Sequence, residues 1–273
     1  MHHHTLLPLF LIFFFISLGS GLAMEAAGPE TTISAGLGVE SLKYQERLPE
    51  RSLQSKANVT NMVFTVAGIT RGEHLFVGFD GTVPVVRSDS RETWWVNDLP
   101  EQNDLLRYGR TQLAARVGYR YAPLLNPYLG LRSIWSRQQR SGFRDQNDLP
   151  VFLAKINETV VSHSVSLGCR GDMSIGGAWR VTFDAEYSIP YSAKVTNDGL
   201  PGWKATDMDG YAWNVCGGLE QAFSKKVSWG LSICAGQQHW RGSDWQIDPA
   251  GPIKWPENET SYVLSSVNAV WHF

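Results

Sequence analysis

Between Trp179 and Ile189 the chain alternates with a period of two. Trp179, Val181, Phe183, Ala185, Tyr187 and Ile189 fall on one face; Arg180, Thr182, Asp184, Glu186 and Ser188 fall on the other. A helix would scatter both sets around its axis, whereas a strand separates them. Similar stretches recur at 32–45, 57–69, 74–86, 105–120, 126–139, 158–170, 177–190, 208–223, 227–240 and 260–273. That pattern predicts about ten strands, each near or above the ~9–11 residues that a tilted strand needs to cross hydrocarbon. The connections alternate strictly between short (70–73, 121–125, 171–176, 224–226) and long and polar (46–56, 87–104, 140–157, 191–207, 241–259). The expected fold is all-β: an antiparallel up-and-down transmembrane β-barrel, apolar outside and polar inside, with both termini at the short-turn end.

Composition fits this picture and removes others. Mean hydropathy is only −0.20, yet the chain carries 11 Trp and 26 Gly. Alternating strands average out hydropathy while keeping the outer wall apolar. A net charge of −2 with 18% charged residues offers no basic face for nucleic acid. Residues 6–22 form an apolar run, and Gly21 and Ala23 suit a signal-peptidase site. Cleavage after Ala23 would leave a single barrel domain at 24–273. His2, His3 and His4 stand where Lys or Arg is usual in a secretion signal.

The inward phase gives an inventory of the lumen. Its acids are Glu40, Asp80, Asp184, Glu186 and Glu220; its bases are Arg110, Arg116, Arg132, Arg170 and Arg180. A barrel of about ten strands has an interior that side chains can largely fill, and charges there must pair or become neutral. The expectation is a salt-bridged plug, with Asp80 facing Arg116, and with Arg170, Arg180 and Glu220 together at the turn end. Asp184 and Glu186 pair with arginines or act as acid and base. Cys216 and Cys234 fall opposite one another across the 224–226 turn, which admits either a cross-strand disulfide or two unbonded small residues. The acids Asp89, Glu92, Asp98, Glu101 and Asp104 share one predicted loop and are expected to be solvated. His239, near the outer rim, is expected as an interfacial girdle residue, the alternative being a surface site formed with Asp244 and Asp248. No cofactor, metal site or catalytic set is expected: no CxxC or HxxxH spacing occurs.

The final strand ends on Phe273, with Val263, Val267, Ala269 and Trp271 on one face. This resembles the C-terminal signal of Gram-negative outer-membrane β-barrel proteins, with Val267, Ala269, Trp271 and Phe273 as its elements and Ser265 in place of a frequent aromatic. The resemblance implies short periplasmic turns, long extracellular loops, contact with outer-membrane lipid and lipopolysaccharide, and recognition by the barrel-assembly machinery. The strand count is similar to omptin proteases and to ten-stranded adhesins, but no Asp lies two residues before any His, as the omptin pattern requires. Three readings of function follow: a surface binding or structural barrel acting through its loops, a narrow channel for small or apolar solutes, and a hydrolase at the rim.

Overall fold

The computed structural model describes residues 30–273 apart from 153, 201, 207, 249 and 250; the secretion signal expected at 1–23 lies outside the described residues. Among the described residues, ten long antiparallel strands form the wall. They are β1 (Glu30–Leu48), β2 (Leu53–Arg71), β3 (Leu75–Arg87), β4 (Leu99–Tyr119), β5 (Asn126–Asp145), β6 (Ile156–Gly176), β7 (Trp179–Asn197), β8 (Gly210–Ala222), β9 (Val227–Trp240) and β10 (Glu257–His272). Sequence neighbours pair throughout, and β1 also pairs with β10, from Thr32 opposite His272 to Arg47 opposite Glu257. At this seam Phe273 donates its backbone N–H to the Thr31 carbonyl at 2.9 Å. Closure leaves the wall no open edge of unpaired N–H and C=O groups, which is the condition for a sheet to stand in hydrocarbon.

Alternation decides what faces lipid. On β5, Leu129 and Leu131 are exposed while Tyr128, Arg132 and Ile134 are buried; on β6, Val165 and Leu167 are exposed while Ser162, Ser164 and Ser166 are buried. Aromatic contacts bracket this apolar belt. At the extracellular edge His163 lies 6.3 Å from both Trp135 and Tyr191, and Tyr211 lies between Tyr187 and His239. At the periplasmic edge Trp179 meets Trp229, and Tyr119 stacks with His74. Amphipathic rings favour the headgroup level, so these pairs mark the two interfaces.

Three large aromatics sit inside the barrel rather than at these interfaces. Tyr128, Trp203 and Trp240 are 2%, 7% and 4% exposed. Tyr128 and Trp240 share the inward phase of Arg132 and Cys234, and that phase governs them even at the strand ends.

The strands also run further than the hydrophobic pattern showed. β4 and β6 have 21 residues, β5 has 20, and β1, β2 and β7 have 19. At about 3.3 Å per residue and a tilt of about 40°, such strands rise about 50 Å, roughly twice the apolar band. Much of the sequence expected as long loops is therefore strand. β1 and β2 are joined by one turn of 3-10 helix, Pro49–Arg51. Asp89–Val96 pairs with the top of β4 through a tight turn at Asn97 and Asp98, both at positive φ. Lys204–Thr206 pairs with β7, and Gln246–Asp248 with Gly251–Ile253. Above the bilayer both faces of a strand are polar or mixed, so alternation fades while hydrogen-bond pairing continues.

This boundary is testable by placing a charge on the wall. Leu131→Arg, in the middle of the belt, should cost about 2–4 kcal/mol, and Gln139→Arg, four residues above Trp135 on the same face, about 0–1 kcal/mol. Urea unfolding of the protein in lipid vesicles measures both. Equal costs would contradict this placement of the belt.

Candidate functional site

The interior is built in three layers. The periplasmic layer surrounds a cavity of about 270 Å³ lined by Asp80, Arg116, Arg170, Arg180, Asp184 and Glu220, among others. Arg116 on β4 pairs with Asp80 on β3, and reaches across to Asp184 on β7 at 2.6 Å. Arg132 pairs with Glu186 at 2.6 Å. The Tyr128 hydroxyl lies between Asp184 and Glu186, at 2.7 and 3.0 Å, and its one proton is shared between the two carboxylates. Tyr128 can lie this flat because Gly168 is its cross-strand partner, where any Cβ would collide with the ring.

The turn-end cluster differs from expectation. Arg180 and Glu220 are cross-strand partners, but Glu220 takes His272 at 3.0 Å and Arg180 lies 3.8 Å from Glu30. Among the described residues Arg170 makes no ion pair; its guanidinium lies 5.9 Å from the Phe76 ring centre. The N-terminal end of β1 and the C-terminal histidine thus supply partners that lay outside the lumen inventory.

The middle layer is a collar that crosses the lumen. Arg110 on β4 pairs with Glu40 on β1 at 2.8 Å, with side chains 2% and 1% exposed. The same guanidinium lies 3.4 Å from the centre of the Tyr262 ring, a cation–π contact from β10. Gly236 opposite Tyr262 leaves that ring its space. The Tyr108 hydroxyl lies 3.3 Å from Thr260 Oγ1, the Tyr44 and Tyr108 rings lie 5.1 Å apart at a tilt of 36°, and Gln138 donates to the Tyr44 hydroxyl at 2.8 Å. Leu42, Val59, Val63, Leu106 and Leu264 fill the remaining space.

The third layer lies above the membrane and was not foreseen. Arg140 pairs with Glu46 at 2.8 Å and with Glu92 at 2.7 Å. Glu92 also accepts from Ser55 at 2.6 Å, and Trp94 donates its indole N–H to Asp104 at 2.7 Å. Trp255 donates to Glu158 at 3.0 Å. A roof of Trp203, Trp240, Trp255, Met208, Val160 and Val195 closes over these groups. Glu92 and Asp104, expected to be solvated, are 0% and 2% exposed, because they face inward from paired rim strands. The signal was available: the even-numbered inward phase of β5 continues from Gln138 to Arg140.

Four carboxylates around one guanidinium cannot all ionise cheaply. Burial, reinforced by the Glu92 charge, pushes the Asp104 carboxyl up to about 8. Burial and then Glu46 push Glu158 to about 7. Cys216 and Cys234, direct partners on β8 and β9, are joined as a disulfide beside the lower cavity. Cys169 is free, on the outward phase of β6. His163 is bonded to Ser133 at 2.8 Å on the lipid side, and His239 lies 3.9 Å from Glu257. Val267, Ala269 and Trp271 share the outward face of β10, and Phe273 is exposed beyond it.

No family model matches the chain, and no curated protein matches it in sequence. Among solved structures, it is similar to the outer membrane protease OmpT from Escherichia coli, at a TM-score of 0.66 and 10% identity, covering 93% of this chain and 100% of that one. The translocator domain of the autotransporter NalP from Neisseria meningitidis matches at 0.36 and 12% identity, over 97% and 95% of the two chains. OprG from Pseudomonas aeruginosa matches at 0.35 and 7%, over 89% and 95%. The chain therefore has the fold of an outer-membrane β-barrel, and its wall carries an apolar belt suited to lipid.

The raised carboxyls predict a sign for pH. A carboxyl whose folded pKa lies above its unfolded value binds more protons folded, so stability falls as pH rises between the two values. For Asp104 that window runs from 3.8 to about 8. Asp104→Asn should therefore stabilise the barrel more at pH 9 than at pH 5, read as the heat-unfolding midpoint. An equal effect at both pH values would show that Asp104 titrates normally.

Proposed function

We propose that this protein is a closed surface barrel: a wall whose interior does not conduct and whose raised rim presents a rigid binding or structural surface. The collar at Arg110, Glu40, Tyr108 and Tyr262 carries this reading. Its side chains come from β1, β4 and β10, and their contacts cross the lumen rather than line it. A solute would have to break a buried ion pair, which leaves charges unpaired in a place without water. The narrow-channel alternative therefore needs a large rearrangement of this layer.

In the same reading, residues 1–23 act as a cleaved secretion signal, and Val267, Ala269, Trp271 and Phe273 serve as the signal to the assembly machinery. The lumen charge network and the Cys216–Cys234 bond stiffen the wall beneath the rim. The Trp-lined roof gives the extracellular mouth a packed floor, so recognition falls to the rim hairpins and not to a pore.

Planar-bilayer recording tests this. The folded protein should give no discrete current steps, and a variant combining Arg110→Ala with Tyr108→Ala and Tyr44→Ala should open measurable ones. Reproducible steps from the unaltered protein would overturn the closed reading.

A further inference from the structure

Three arginines meet on the outer wall just above the extracellular aromatic girdle. On β4 the inward phase holds Tyr108 and Arg110, so Gly109 faces out, and its partner on β5 is Arg137. Arg137 lies one outward step above Trp135, the girdle residue of the same strand. From β3, the stem of Arg87 lies across Gly109: a Cβ there would come within 2.6 Å of Arg87 Cδ. The glycine is thus a slot that lets Arg87 lie flat toward β5. Arg107, the next outward residue on β4, completes the group, and the charges of Arg107 and Arg137 both act on Arg87.

The acid present does not balance this charge. Asp89 is taken bidentately by Arg107, at 2.7 and 2.8 Å. Among the described residues, Arg87 and Arg137 have no carboxylate within ion-pair distance, and both are exposed. Both arginines flank Gly109 and their like charges repel, and an anion between them removes the repulsion. Arginine forks match phosphate oxygens bidentately. The height of the cluster selects the source, because the girdle below it sits at the headgroup level.

We propose that Arg87 and Arg137, seated around Gly109, bind a phosphate group of a phosphorylated glycolipid in the outer leaflet. The inference concerns the outer wall and does not depend on whether the lumen conducts. The site holds the barrel to its lipid at one sector of the wall, next to the rim hairpin that carries Asp89.

The test uses the full barrel in phosphatidylcholine vesicles containing increasing fractions of bisphosphorylated lipid A, with the heat-unfolding midpoint as the readout. The midpoint should rise and saturate. Arg87→Gln combined with Arg137→Gln should raise the half-saturating fraction about tenfold, the scale expected for losing charge-assisted bonds, while the midpoint in phosphatidylcholine alone stays unchanged. Dephosphorylated lipid A and free inorganic phosphate should each give no rise in the unaltered protein. An equal response of the double variant, or an equal response to the dephosphorylated lipid, would overturn the proposal. A rise with free phosphate equal to that with lipid A would overturn the lipid as its source. If the double variant does not fold, Gly109→Val, which blocks the slot and keeps both charges, replaces it and should weaken the response in the same direction.

Discussion

A charge in the packed layers of this ten-stranded barrel has little water to fall back on. The period-two strand that makes the outside apolar also turns every second residue inward, and most of those inward residues are polar. The lumen is narrow enough for facing side chains to touch, so most of its charges meet the cost of desolvation through a partner across the space, whereas Arg170 lies against the Phe76 ring. That constraint explains why Glu40 finds Arg110, Asp184 finds Arg116 and Glu186 finds Arg132, each on a different strand. These contacts are spokes between sectors of the wall. Glycines opposite Tyr128 and Tyr262 belong to the same solution, since they let a large ring lie against the wall and still present its hydroxyl or face to a charge.

The rim obeys the constraint less completely. Its strands carry Glu46, Glu92, Asp104 and Glu158 inward toward the single guanidinium of Arg140. Protonation removes what pairing does not, which is why two of these carboxyls hold their protons toward neutral pH. Indole N–H groups of Trp94 and Trp255 donate to one oxygen each of Asp104 and Glu158. A floor of tryptophans over a partly protonated acid cluster is rigid in acid and loses stability as the medium turns alkaline.

The wall was legible in the sequence because one side of each strand faces hydrocarbon. Trp179 to Ile189 alternates plainly since Val181 and Ile189 meet lipid while Asp184 and Glu186 do not. The ion pairs Asp80–Arg116 and Glu186–Arg132 follow from that phase and from strand order. The rim was hidden for the converse reason: Arg137 and Gln139 face water, Gln138 and Arg140 face inward, and no contrast in polarity separates the two faces. The period-two pattern therefore stops at Gln139 and resumes only at Glu158, which puts Arg140 in an expected loop. Tyr128 and Trp240 follow phase and not residue type: aromatics favour interfaces, but these two lie on the inward phase and are buried. Arg87 was unreadable because its position depends on a glycine on the next strand.

The closed collar is the claim on which this account turns, and its most direct test is accessibility from each side. Ser266 lines the cavity below the collar. With Cys169→Ser to remove the free thiol, Ser266→Cys in oriented vesicles can be exposed to a charged, impermeant thiol reagent. The account predicts reaction when the reagent is on the periplasmic-turn side and none when it is on the loop side. Comparable rates from both sides would mean that the collar is not a barrier and that the lumen is a through path.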